Sequence, residues 1–74
     1  MFLGYCLHPV DGFWTPAVHL ATVEEAFRYC ILHHHWSLEI RITDEEDFVV
    51  LHVENHLLKI PMPDGSFKEH VLSL

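Results

Sequence analysis

One stretch of the chain, from Thr22 to Trp36, has the pattern of an amphipathic helix and constrains the fold more than any other. Apolar side chains recur at the i, i+3, i+4, i+7 and i+8 spacing that places them on one helical face. They are Val23, Ala26, Phe27, Cys30 and Ile31, and His34 extends the row. Thr22 followed by Glu25 is a capping box, which marks the helix start. One helix with a single apolar stripe needs a sheet to pack against, so the rest of the chain is expected to supply strands.

The chain before this helix predicts a hairpin. Residues 2–8 have the alternation of a strand that ends at Pro9, since proline cannot donate to a strand ladder. The expected core face of this strand is Leu3, Tyr5 and Leu7. Asp11-Gly12 is a strong turn dipeptide, and residues 13–20 are expected to return as a second extended segment.

The chain after the helix predicts a three-stranded meander over residues 38–43, 48–54 and 57–60. Ser66 and Glu69 repeat the capping-box spacing, which favours a short C-terminal helix over 66–74 against a further strand. The expected fold is therefore α+β. It is a two-layer sandwich with one main helix on a mostly antiparallel sheet, in the order β-β-α-β-β-β with a possible short C-terminal helix.

Composition sets the domain count and narrows the classes of partner. Seventy-four residues make one small domain, 1–74, and half of them are hydrophobic. So small a core cannot hide that much apolar surface, which favours a homodimer. The formal net charge of −7 argues against binding nucleic acid or an anionic membrane surface. Two cysteines, with no pattern of a signal peptide or membrane span, indicate a reduced cytoplasmic setting.

A second apolar row on the helix is the predicted partner-binding surface. Tyr29, Leu32 and Trp36 lie off the main stripe at i, i+3 and i+7, and Trp14 adds another large aromatic group. The alternative is that the C-terminal tail, Phe67 to Leu74, folds over this row. The sequence favours a small acidic, non-enzymatic interaction or regulatory module that associates with itself or with another protein.

The eight histidines raise a metal-binding alternative. Cys30 and His34 share a helical face, and Cys6 and His8 share a strand face, so the four could form a Cys2His2 zinc site. Nickel and copper are further candidates. The simpler interpretation makes both cysteines small core residues and leaves most histidines in solvent, so no metal or cofactor is expected.

A cysteine-dependent enzyme is the third hypothesis, with Cys30 activated by His34 or Cys6 by His8. Such chemistry needs an exposed, low-pKa thiolate beside an oxyanion site. The sequence has no Gly-rich loop that would build one, so no catalytic residue is predicted.

Overall fold

A computed structural model describes residues 1–72 and has the α+β two-layer architecture that the sequence predicts. Its elements are β1 (Phe2–Leu7), β2 (Val18–Leu20), α1 (Val23–His33), β3 (Glu39–Thr43), β4 (Val49–Glu54), β5 (Leu57–Pro61) and β6 (Phe67–Val71). The strands form a single six-stranded sheet in the order β2-β1-β3-β4-β5-β6. Every neighbouring pair is antiparallel, so β2 and β3 run parallel on either side of β1 and α1 connects them across it.

The start of α1 is capped as its sequence predicts. The Thr22 hydroxyl accepts a hydrogen bond from the Glu25 amide at 3.1 Å, and the Glu25 carboxylate accepts one from the Ala21 amide at 2.8 Å. These two bonds satisfy backbone donors that have no partner inside the helix. The helix ends at His33, with His34 as its C-cap, which is earlier than the predicted end at Trp36.

The buried side of α1 is rotated from the predicted stripe. Ala26, Tyr29 and Cys30 are buried, whereas Val23 and Ile31 are 49% and 55% exposed. The rotation lets the Tyr29 ring lie directly on β1.

The predicted core face of β1 is wrong. Gly4 and Cys6 are the buried residues of this strand and pack toward α1, whereas Leu3, Tyr5 and Leu7 lie on the alternate face. The reason is steric, because Gly4 has no side chain and allows the Tyr29 ring to approach the backbone closely.

The central strands follow their predicted alternation up to one irregularity. Ile40 and Ile42 on β3 lie opposite Val53 and Leu51 on β4, and all four are buried. The strand register then shifts between Ile42 and Thr43, so that Val49 pairs with Thr43 on the opposite face instead of continuing the buried set.

Two segments have a different secondary structure from the predicted one. Residues 13–17 are not part of a strand, and Trp14 makes only an isolated bridge to Leu7. The C-terminal segment forms β6 and not a helix. The Ser66 amide and hydroxyl both donate to the Asp64 carboxylate, which holds a turn and leaves that hydroxyl unable to cap a helix. Residues 73–74 of the predicted helix lie outside the described part of the chain.

The helix α1 has eleven residues, and within 1–72 the structure contains no helix with the length and apolar character needed to cross a membrane.

We expect Gly4→Ala to destabilise the fold by about 1–3 kcal/mol through overpacking. A Cβ atom at this position would lie 2.9 Å from Cε1 of Tyr29 and 3.1 Å from Cδ1 of Leu20. Urea denaturation measures the loss. The matched comparison is the same substitution in a Tyr29→Leu background, where the cost should shrink because the ring is gone. An equal loss of unfolding free energy in both backgrounds would contradict the conclusion that Gly4 allows Tyr29 to pack on β1.

Candidate functional site

The sheet is wider than one helix can cover, and this leaves an apolar groove beside α1. The helix packs on β1, β2 and β3, at one side of the sheet. Between α1 and β4–β5 lies a groove of about 160 Å³. Its lining is entirely apolar, and consists of Phe2, Val23, Ala26, Phe27, Val50, Leu51 and Ile60. An apolar groove of this kind is a candidate site of contact with a partner.

One wall of the groove is a row of apolar side chains on α1. Val23 and Phe27 line the groove, and Ile31 continues the row one turn further along the helix. Phe27 is half-buried, whereas Val23 and Ile31 are largely exposed. We call Val23, Phe27 and Ile31 the groove row. Glu24 lies in the first helical turn and His35 just beyond the C-cap, so the two ends of the row carry different side-chain chemistry.

The C-terminal end of α1 is fixed to the β4–β5 turn by two histidines. Nδ1 of buried His34 and Nδ1 of His56 are 2.9 Å apart, so one ring donates a hydrogen bond to the other. Asn55 and His56 both have positive φ angles, as in a two-residue type I′ hairpin turn. This contact joins the helix layer to the uncovered half of the sheet.

The side of the sheet turned away from α1, which we call the open face, carries charged and aromatic groups in register across the strands. Arg41 on β3 lies opposite Tyr5 on β1 and opposite His52 on β4, and His52 in turn lies opposite Lys59 on β5. The Trp14 ring covers the Arg41 guanidinium at 4.9 Å, a cation–π contact.

Glu39, His52 and Glu54 form a cluster on the open face, which we call the Glu-His cluster. Nε2 of His52 donates to Oε1 of Glu39 at 2.5 Å, and one donor atom from each residue lies within 4.8 Å of the other two. Nη2 of Arg41 also donates to Oε1 of Glu39, at 3.5 Å. Within residues 1–72, this is the group of three side chains whose arrangement could hold a metal ion.

The predicted partner row is divided in the structure. Tyr29 is buried inside its own chain, and its hydroxyl shares a 3.1 Å hydrogen bond with the Cys6 thiol. Trp36 is half-buried against the core, and its indole donates to Nδ1 of His33. Leu32 and Trp14 remain exposed, but Leu32 is on the helix and Trp14 lies over the open face. The described part of the tail, residues 67–72, does not cover this row, since β6 forms the sheet edge furthest from β2.

The structure does not assemble the predicted Cys2His2 donors. Cys6 pairs with Tyr29, and His34 pairs with His56, while Nδ1 of His8 accepts from the Val10 amide at 3.2 Å. Cys30 is fully buried. No three donor atoms from these four described residues come within 4.8 Å of one another.

Burial controls the chemistry of both thiols. It raises the pKa of Cys6, and it raises the pKa of Cys30 to about 12. A buried thiol with a raised pKa is a poor nucleophile at neutral pH, because the reactive species is the thiolate.

Sequence reasoning missed both the groove and the Glu-His cluster. It placed Val23 and Ile31 in the core because the apolar spacing of a helix does not reveal that the sheet is wider than the helix. It did not group Glu39 with His52, since only the β3–β4 register brings them together. The alternation Glu39-x-Arg41 and His52-x-Glu54 was the available signal.

Comparison with known protein families, curated proteins and solved structures found nothing that matches this chain.

Protonation of His33 should release Trp36 as the pH falls. Nδ1 of His33 accepts the indole proton at 2.9 Å, which requires a neutral ring. Burial first, and then the neighbouring His35, lower the pKa of His33 below its ordinary value of 6.5. The unfolded chain therefore takes up a proton before the folded one does, and the free energy of unfolding should fall as the pH drops below 6.5.

Trp36 fluorescence in a Trp14→Phe variant measures this release, with an expected midpoint below pH 6.5. The control is His33→Gln, whose amide oxygen can accept the indole proton but does not titrate. If the His33→Gln control showed the same fluorescence transition, the transition would have to come from another histidine.

Both thiols should resist modification in the native state. Because Cys30 ionises near pH 12, its thiolate fraction at neutral pH is about a thousandfold below that of a free cysteine. We expect Ellman's reagent to label the native protein at least about a hundredfold more slowly than the protein in concentrated urea, where both thiols are exposed. Rapid labelling of one cysteine without urea would revive the hypothesis of a cysteine-dependent enzyme.

Proposed function

We propose that the protein is a small non-enzymatic interaction module that self-associates as a homodimer through the groove row of α1. The observation that carries this proposal is the apolar groove beside the helix, with the largely exposed Val23 on its wall and the largely exposed Ile31 further along the same side of α1. Leaving this surface in water is unfavourable, and its burial contributes about 25 cal/mol for each Å² of apolar area.

A helix suits this groove better than an extended segment does. One side of the groove is α1 itself and the floor is the sheet, which is the position a second parallel or antiparallel helix occupies in two-layer folds. The groove row repeats at i, i+4 and i+8, the spacing at which helices interdigitate. A partner helix would therefore pack beside α1 and cover Val50 and Ile60 on the uncovered strands.

The α1 helix of a second copy meets these requirements. A two-fold axis places the same patch on both partners, so each groove row would pack against its counterpart. With the two-fold axis perpendicular to α1 at Phe27, the two helices run antiparallel, and Val23 of one copy lies opposite Ile31 of the other. The antiparallel arrangement also brings the positive end of each helix dipole near the negative end of its partner, which is favourable.

The remaining chemistry of the chain supports a role without catalysis. Both thiols are buried and hard to ionise, so neither is suited to nucleophilic attack. The donors of the Cys2His2 alternative are not gathered in one place, since Cys6 contacts Tyr29 and His34 contacts His56, and this also supports the proposal.

Ile31→Glu tests the proposal, and Leu32→Glu is its matched control. These neighbouring residues are 55% and 57% exposed, and each substitution adds one negative charge. Only Ile31 belongs to the groove row, whereas Leu32 lies on the side of α1 next to Tyr29 and β2. Sedimentation equilibrium should show a wild-type dimer, a dissociation constant raised at least about tenfold by Ile31→Glu, and little change for Leu32→Glu.

Two outcomes would overturn the proposal. A monomeric wild-type protein at high concentration would reject self-association. A dimer weakened by Leu32→Glu and not by Ile31→Glu would move the interface to the Tyr29, Leu32 and Trp36 side of the helix. Circular dichroism of each variant establishes that the fold is retained.

A further inference from the structure

We propose that the Glu-His cluster binds one divalent transition-metal ion on the open face of the sheet. The ligands would be a carboxylate oxygen from Glu39, Nε2 of His52 and a carboxylate oxygen from Glu54. This site is separate from the groove row, because the cluster lies on β3 and β4 on the face of the sheet turned away from α1. It does not depend on self-association.

The strand register brings the two carboxylates together. Glu39 and Glu54 are directly opposite each other in the β3–β4 pair. Like charges at directly opposite positions destabilise a sheet unless a positive group lies between them. A dication placed between these carboxylates would neutralise both charges at once.

The third donor comes from the same two strands. His52 lies two residues before Glu54, so strand alternation puts both side chains on one face, diagonal to or opposite Glu39. Nε2 of His52 is already 2.5 Å from Oε1 of Glu39. Ligand atoms bound to one ion lie about 3 to 3.6 Å apart at usual bond lengths. Nε2 carries the proton of this hydrogen bond, so metal binding must release that proton to Nδ1 of the same ring or to solvent. The three donor atoms lie within 4.8 Å of one another, so side-chain rotations would then bring them to coordination distance.

The surroundings hold two of the ligands firmly and leave one side open to solvent. The side chains of Glu39 and His52 are only 18% and 24% exposed, whereas Glu54 is exposed. Arg41, which donates weakly to Glu39, also stacks on Trp14 and so keeps a partner if a metal displaces it from the carboxylate. Water would complete the coordination on the open side, as it does where a protein supplies three ligands.

The donor set decides the class of ion. One imidazole and two carboxylates suit zinc, manganese and other first-row divalent ions, while thiolate-preferring ions have no ligand here. Both cysteines lie on the helix-facing side of the sheet or in α1, away from the cluster.

Paramagnetic Mn²⁺ locates the site directly in the wild-type protein. In a ¹⁵N correlation spectrum, substoichiometric Mn²⁺ should broaden the amides of residues 39–41 and 52–54 first. Broadening centred on the histidines of residues 33–35 or on the acidic turn of residues 44–47 would overturn the proposal. This readout needs no variant, and it is read in the same way from a monomer or a dimer.

Zn²⁺ titration calorimetry tests the ligands by substitution. We expect about one Zn²⁺ per chain, with affinity reduced at least about tenfold by His52→Gln and by Glu54→Gln. Glu69→Gln and His70→Gln on the exposed β6 strand remove the same chemical groups outside the cluster, and should leave the affinity within about twofold. Equal losses in the β6 controls, or no measurable binding by the wild-type protein, would reject the site.

Discussion

The packing of Tyr29 on Gly4 determines how the rest of the structure is arranged. The ring lies where any other residue at position 4 would place its Cβ, and its hydroxyl reaches the Cys6 thiol. This contact rotates α1 toward β1 and β2. An eleven-residue helix with apolar side chains on more than one face cannot bury all of them against one sheet. With Tyr29 inside, Val23 and Phe27 line the space over the uncovered strands and Ile31 stays exposed, so the groove is a direct consequence of this choice of buried face.

The sequence was informative wherever local pattern and steric rules agree. The capping residue Thr22, the element order and the buried isoleucines of β3 all follow from spacing. The errors arise where a partner element decides the outcome. Strand alternation gives two possible faces for β1, and only the approach of the Tyr29 ring selects the one with Gly4. The candidate sites are harder still to predict from the sequence. The groove depends on the width of the sheet, and the Glu-His cluster depends on the cross-strand register. Neither property can be read from a short stretch of sequence.

Strand alternation gives β3 and β4 one apolar face toward the core and one charged face toward solvent. Ile40 and Ile42 face α1, while Glu39 and Arg41 on the same strand face the opposite side. The buried pairs fix the register to within one residue, because a slip would expose the core. The same constraint fixes the separation of Glu39 and Glu54. The hydrophobic layer thus positions the charged cluster, so a metal site there would need no rigid loop of its own.

The exposed edge strand β6 is the obvious competitor as an association surface, and symmetry argues against it. Antiparallel pairing of two identical edges about a two-fold axis places one residue directly opposite its own copy. The central residues of β6 are Lys68, Glu69 and His70, so every centred register would oppose identical polar groups, which is unfavourable for the two charged residues. The same symmetry applied to α1 places Phe27, the middle of the groove row, on the axis. An apolar residue gains from meeting its own copy, so the proposed helix interface, unlike the β6 edge, would join two chains without opposing like charges.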